Sequence, residues 1–233
     1  KDQTRRMAHS RNLLFILAAI AVFILSPQTS FAVGCSTVDF SAVFKSTLSP
    51  APNPSSGNDI VEADFNRDGN LDFAVTNVNG GTANVFLGNG KGGVSVSTLT
   101  TTSFPINIFA RDFNLDGKID LLVSGSGSVI LFNGNGTGGF TLGGTITSGG
   151  GFTVAVADFN LDGKEDFVSQ NNFNLETFLG NGNGTFAAPT LTPQPNSVAT
   201  AVAADFNRDG KPDVAMTGFT NSQVYFLPGN GSG

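Results

Sequence analysis

Tryptophan is absent from this 233-residue chain, and tyrosine, histidine and cysteine occur once each, as Tyr225, His9 and Cys35. A lone cysteine excludes an internal disulfide framework. His9 lies in the amino-terminal stretch, so the remainder of the chain cannot build the Ser-His or Cys-His pairs of nucleophilic hydrolases. Charge is scarce too: 12 Lys and Arg stand against 18 Asp and Glu, 13% of all residues, for a net charge of −6. That balance gives a phosphate backbone no basic surface, so nucleic acid is not an expected partner. A disordered acidic tail is equally excluded, because 39% of the residues are apolar and can form a core. Glycine, by contrast, is abundant at 30 residues, but without the every-third period of collagen. It predicts many tight turns between short strands, and hence an all-β protein.

The longest apolar run, LLFILAAIAVFIL at 13–25, is shorter than the roughly 20 residues that span a bilayer. Arg5, Arg6 and Arg11 precede it, Ser26 and Pro27 follow it, and Ser30 and Ala32 supply the small residues of a cleavage site. This pattern predicts a secretory signal peptide over 1–32, with no transmembrane span once it is removed. Because the chain opens on Lys1, Met7 is a candidate start. A secreted or cell-surface location is expected, with the periplasm as another destination. Cys35 in A-V-G-C suggests a lipoprotein box as a lesser alternative, since it stands ten residues past the apolar run.

Set against itself, the chain repeats four times: DFNRDGNLD at 64–72, DFNLDGKID at 112–120, DFNLDGKED at 158–166 and DFNRDGKPD at 205–213. Spacings of 48, 46 and 47 residues signal a repeat architecture. Apolar segments flank each copy, and a third ends in a glycine-asparagine turn, as in VFLGNG, ILFNGNG, TFLGNG and YFLPGNG. The unit reads strand, acidic loop, strand, turn, strand, Asn-Gly turn, weaker strand; Asn-Gly predicts a type I′ hairpin. Four antiparallel strands in about 45 residues make one blade of a β-propeller. Residues 57–233 hold the four repeats. The segment 33–56 is expected to carry an outer strand, because VFKSTLSPAPNPSS at 43–56 parallels FAAPTLTPQPNSVA at 186–199, and in a closed propeller that strand would complete the last blade.

Each nine-residue loop places Asp at position 1, Asn at 3, Asp at 5 and 9, and Gly at 6. The oxygen set is Asp64, Asn66, Asp68 and Asp72; Asp112, Asn114, Asp116 and Asp120; Asp158, Asn160, Asp162 and Asp166; and Asp205, Asn207, Asp209 and Asp213. Position 7, occupied by Asn70, Lys118, Lys164 and Lys211, is expected to contribute only its backbone carbonyl. Hard oxygen ligands on a loop turned by glycine suit calcium, about one ion per repeat and four in all. An EF-hand is excluded, because position 12 is Val75, Val123, Ser169 or Met216 rather than Glu. From residue 33 onward the chain has 17 acidic residues, and 12 of them stand at positions 1, 5 and 9 of these loops. Three carboxylates so close together repel unless a cation lies between them. The Phe at position 2 (Phe65, Phe113, Phe159, Phe206) is expected to pack between blades.

DFNRDGNLDFAV through VFLGNGKGG resembles the FG-GAP/VCBS repeat, the blade unit of integrin α-subunit propellers and of many secreted bacterial proteins. The resemblance implies a calcium-loaded propeller, usually of seven blades, so that these four form part of a larger ring. It also implies a cell-adhesion or recognition role toward an extracellular protein, matrix or glycan ligand. Alternatives are a carbohydrate-binding propeller and an accessory domain of a larger secreted hydrolase or lyase. No enzymatic activity is expected of this chain itself. Apart from those ligand positions, its only carboxylate side chains from residue 33 onward are Asp39, Asp59, Glu62, Glu165 and Glu176.

Overall fold

The structure, a computed structural model, describes residues 57–101, 104–148, 152–171, 173–194, 197–218 and 222–233, all within the unit Ser46–Gly233. The predicted signal peptide at 1–32 and the outer strand expected within 33–56 lie outside the described residues. Every regular element among the described residues is a strand, and none of these residues forms a helix long and apolar enough to cross a membrane.

The first blade runs β1 (Gly57–Ala63), β2 (Asp72–Asn77), β3 (Thr82–Gly88) and β4 (Val94–Thr100). The second runs β5 (Pro105–Arg111), β6 (Asp120–Gly125), β7 (Ser128–Gly134) and β8 (Phe140–Thr147). In the third, β9 (Phe152–Ala157), β10 (Asp166–Asn171) and β11 (Asn174–Phe178) precede the short β12 (Thr190–Pro193). Blade 4 holds β13 (Val198–Ala204), β14 (Asp213–Gly218) and β15 (Val224–Leu227). Within each sheet the strands pair in chain order, and every pairing is antiparallel. The fold is therefore an all-β propeller built of four-stranded antiparallel blades, with three strands described in the fourth.

Period-2 patterning explains why the inner strands form. In β1 the alternation sends Asp59, Val61 and Ala63 toward blade 2 and leaves Ile60 and Glu62 on the opposite face. The middle strands β6 and β7 are buried on both faces and read as near-continuous apolar runs, DLLVSG and SVILFNG, whereas outer strands such as β4 are mostly exposed. A register shift recurs near the start of the first strand pair in blades 1, 2 and 4, between Gly57 and Ile60, Pro105 and Asn107, and Val198 and Thr200. Such bulges bend a strand without ending its pairing.

The Asn-Gly turns depart from the two-residue type I′ hairpin expected of them. Positive φ falls on Gly90 and Gly92 and not on Asn89, and the turn closes through Asn89 N–H donating to Gly93 O at 3.0 Å. Asn135 to Gly139 and Asn181 to Thr185 repeat that bond at 2.9 Å. The asparagine works through its side chain instead: Asn89 Oδ1 accepts Lys91 N and Gly93 N, each at 2.9 Å. Extra glycines allow this wider loop, and the width carries its far end across to the preceding blade. Gly138 N donates to Phe65 O and Gly184 N to Phe113 O, each at 3.3 Å.

Apolar clusters fill the three blade-to-blade interfaces. Blades 1 and 2 meet through Phe65, Ala74 and Val85 against Ile108, Leu121 and Phe132. Blades 2 and 3 meet through Phe113, Leu122 and Leu131 against Phe167 and Phe178, and blades 3 and 4 through Phe159, Val168 and Leu175 against Val214 and Met216. Phe65 packs edge-on to Phe140 with ring centroids 5.5 Å apart, and Phe113 packs on Phe186 at 6.1 Å. Each fully buried aromatic contributes about 1.5–3 kcal/mol from burial alone. Polar staples add direction: Asp59 Oδ2 accepts Ile108 N at 3.0 Å, and Asn58 Nδ2 donates to Ile106 O at 2.9 Å.

Candidate metal centres

Each acidic loop joins the first two strands of its blade and folds by answering its own backbone donors. In loop 1, Asp64 Oδ1 and Asn66 Oδ1 both accept Asp68 N, at 3.1 and 3.0 Å, and Asp64 Oδ2 accepts Gly69 N at 2.9 Å. Asp112 and Asn114 share Asp116 N in the same way, Asp158 and Asn160 share Asp162 N, and Asp205 and Asn207 share Asp209 N. Two oxygens that take one N–H between them are near neighbours. Loop 4 shows the rest of the cluster: Asn207 Nδ2 reaches Asp209 Oδ2 at 3.3 Å and Asp213 Oδ1 at 3.4 Å. In loop 4, hydrogen bonds thus link positions 1, 3, 5 and 9; in loops 1–3 they link positions 1, 3 and 5, and among the described residues no three carboxylates stand close enough to make a preformed metal cluster.

Position 9 does more than close the oxygen set. Asp72, Asp120, Asp166 and Asp213 are buried at the base of their loops. One oxygen of each accepts the N–H of the position-2 phenylalanine, and the other accepts the first glycine of the Asn-Gly turn. For Asp120 the donors are Phe113 N at 3.0 Å and Gly134 N at 2.9 Å; for Asp72 they are Phe65 N and Gly88 N at 2.9 and 2.8 Å. Asp166 and Asp213 repeat both bonds. The carboxylate thus clasps loop, second strand and third strand together. Spacing alone did not disclose this second role.

Electrostatics follow the geometry. Burial pushes the Asp120 carboxyl up to about 6; the N–H groups of Gly134 and Phe113 oppose that rise, while the charges of Asp116 and Asp112 reinforce it. Asp166 is raised for the same first reason, with Asp162 adding repulsion. Near the solvent the shift reverses. The N–H of Asn70 holds Asp68 below the usual carboxylate range, and the ammonium groups of Lys118 and Lys164 do so for Asp116 and Asp162. Those lysines lie 2.7 Å from their aspartates, so in loops 2 and 3 the position-7 side chain is itself a counter-charge. The spacing alone assigns that position only its backbone carbonyl.

Position 4 was missed as well. Arg67, Leu115, Leu161 and Arg208 all adopt left-handed backbone, with φ of 60°, 57°, 61° and 64°, and the glycine two residues later does the same. For a leucine this conformation costs roughly 1–2 kcal/mol, and it persists because the flanking aspartates fix the loop. Arg67 also donates through Nη2 to Gly117 O in the loop of the next blade.

Among the described residues, the carboxylates away from the ligand positions do not assemble. Asp59 and Glu62 point to opposite faces of β1, Glu165 pairs with Arg111 at 3.6 Å, and Glu176 accepts Asn171 Nδ2 at 2.9 Å. Asp39 lies outside the described residues.

Fold and loops together define a class: a β-propeller in which each blade carries one oxygen-rich acidic loop between its first two strands. The FG-GAP-like repeat model matches residues 64–123, 112–169 and 158–216, together more than half of the chain. The protein belongs to that family. None of the curated proteins matches it. Among solved structures, the chain is similar to an Agrocybe aegerita lectin that recognises non-reducing terminal N-acetylglucosamine, with a TM-score of 0.53 at 19% identity over 74% of this chain. The chain spans about half of that lectin, 48% of its length. It is also similar to a Photorhabdus luminescens Tc holotoxin pore, with a TM-score of 0.46 and 16% identity, over 76% of this chain and 9% of that one.

Proposed function

We propose that the protein is a secreted or surface-displayed, calcium-loaded propeller that acts as a non-catalytic recognition or adhesion module. The observation that carries the metal reading is the cluster in loop 4, where Asp205, Asn207, Asp209 and Asp213 are linked by shared hydrogen bonds around a buried carboxylate. Hard oxygen donors in that number fit calcium. In each loop the side chains at positions 1, 3, 5 and 9 and the position-7 carbonyl would hold the ion. Its charge would offset the repulsion that burial concentrates near Asp120 and Asp166. Recognition would lie on the blade loops, on a partner of extracellular protein, matrix or glycan chemistry. The leader-like residues 1–32 support export.

A carbohydrate ligand is the second reading, favoured by the fold shared with a lectin. Having Tyr225 as the sole ring beyond phenylalanine argues against the broad aromatic platforms that sugars stack on. An accessory role within a larger secreted hydrolase or lyase is a third. Calorimetric titration with calcium, paired with melting in calcium and in chelator, tests the metal. Uptake of about four ions with a higher melting temperature is expected, and a folded chain that binds none refutes it. Glycan and matrix arrays probed in calcium and in chelator then test recognition; no calcium-dependent binder on either would refute the adhesion reading.

A further inference from the structure

Loops 2 and 3 form a matched pair, because DFNLDGK at 112–118 and DFNLDGK at 158–164 are identical through position 7. They also make the same internal bonds. Asp116 N and Asp162 N are each shared between the position-1 and position-3 oxygens, and Lys118 and Lys164 each stand 2.7 Å from the position-5 aspartate. What differs is the side chain that reaches them from the blade before. Arg67 of loop 1 donates through Nη2 to Gly117 O, and a Cβ placed at Gly136 in the adjoining turn would stand 3.2 Å from Lys118 Cδ and 3.5 Å from Arg67 Nε. At the next interface a Cβ at Gly182 would stand 3.0 Å from Lys164 Cδ and 3.0 Å from Leu115 Cδ1. Leucine thus fills the place of arginine. Loop 3 does meet Arg111 as well, but Glu165 at its own position 8 pairs with that guanidinium at 3.6 Å, where loop 2 has the apolar Ile119. Two cations, Lys118 and Arg67, therefore stand by the three aspartates of loop 2, and Lys164 alone stands by those of loop 3.

We infer that Arg67 sets the calcium affinity of a loop in the blade that follows its own, making loop 2 a weaker site than loop 3 despite their common ligand set. The inference rests on the calcium reading of the loops proposed above. An ion entering either loop meets a lysine at position 7. In loop 2 it also meets the Arg67 guanidinium, bonded to the carbonyl one residue before the position-7 carbonyl that would hold the ion. Like charges at that range oppose each other, and in a partly exposed setting one such interaction is worth up to about fivefold in an equilibrium constant. The double charge of calcium widens the effect. Arginine stays charged wherever the fold survives, so protonation does not relieve the opposition. Position 4 can carry either side chain on the same turn, because Arg67 and Leu115 adopt the same left-handed backbone, at φ of 60° and 57°. The two loops then fill in order as calcium rises, loop 3 before loop 2, and the contact between blades 1 and 2 carries the step that answers at the higher concentration.

The test is a calcium titration of the full chain followed by NMR at the amides of Gly117 and Gly163, which report loops 2 and 3 separately. In wild type the Gly117 midpoint is expected at a calcium concentration roughly three- to tenfold above that of Gly163. Arg67→Leu should bring the two midpoints together by tightening loop 2, while Arg67→Lys, which keeps the charge, should preserve most of the gap. Leu115→Arg makes the reciprocal change. It moves an arginine to the place facing loop 3 and should raise the Gly163 midpoint by a similar factor, so the inference stays open to refutation even where Arg67→Leu does not fold. Equal midpoints in wild type overturn the inference and leave the calcium reading intact. So does a gap that survives Arg67→Leu, or a Gly163 midpoint that Leu115→Arg does not move. A folded chain in which neither glycine responds to calcium refutes the calcium reading itself, and this inference with it.

Discussion

The clasp formed by the position-9 carboxylates gives the sharpest test of how these blades hold together. Asp120 is buried and accepts two backbone donors, Phe113 N at 3.0 Å and Gly134 N at 2.9 Å. Replacing it with alanine strands both N–H groups away from water. An unsatisfied buried donor costs about 1–3 kcal/mol, so Asp120→Ala should destabilise by about 2–6 kcal/mol. That is a large fraction of the roughly 5–15 kcal/mol available to a whole domain. The assay is urea unfolding in chelator, which removes any contribution of a bound cation. Asp120→Asn keeps one acceptor and should lose about half as much. Asp112→Ala supplies the contrast, because the donors its carboxylate takes, Asp116 N and Gly117 N, are exposed and can turn to water. It should cost under about 1 kcal/mol in chelator, while in calcium it should remove one ion from the titration and the stability that ion confers. Saturation at a hundredfold over the dissociation constant is worth about 2.7 kcal/mol. If Asp120→Ala unfolds within about 0.5 kcal/mol of wild type in chelator, the position-9 carboxylate is not a structural clasp, and the reasoning from buried donors fails.

Other substitutions probe the same architecture. Gly134→Ala places a Cβ against the Ile119 carbonyl oxygen and disturbs the donor to Asp120 Oδ1, so it should lower stability by about 2–4 kcal/mol in urea unfolding. Asp59→Ala removes the acceptor for Ile108 N between blades 1 and 2; a loss of about 1–2 kcal/mol in the same assay is expected, with no change in ions bound. Lys118→Met deletes the ammonium beside Asp116, an exposed pair worth up to about 1 kcal/mol, and should therefore tighten calcium binding at loop 2 by up to about fivefold in calorimetry. An unchanged affinity would mean that the lysine does not compete with the ion.

What could be read from the chain, and what could not, divides along the range of the interactions. Blade composition was legible because each unit repeats a strong local signal: D-F-N-x-D-G turns, apolar alternation and a phenylalanine at position 2, three of whose four copies are buried between blades. Spacing could not show that Asp72 and its equivalents bind the first glycine of a turn 14 to 16 residues away, because that bond exists only after the second and third strands pair. Nor could it show that Asn89 keeps negative φ, since Asn-Gly fits a two-residue hairpin just as well until the flanking glycines are seen to widen it. The same distinction explains the role of the loop. Its solvent-side oxygens at positions 1, 3 and 5 are organised by bonds within nine residues. Its base is fixed by the loop's own position-2 N–H and by the glycine that follows or ends the third strand, and its position-2 carbonyl by the turn of the following blade in two of the three interfaces. A cation held by those oxygens would lock positions 1, 3 and 5 onto position 9, and through position 9 onto the segment that carries the inter-blade bond. Calcium should therefore stiffen the contacts between blades as well as the loops that hold it. Amide exchange at Gly138 and Gly184, compared in calcium and in chelator, reads that coupling directly; equal protection in both would separate the loops from the cohesion of the array.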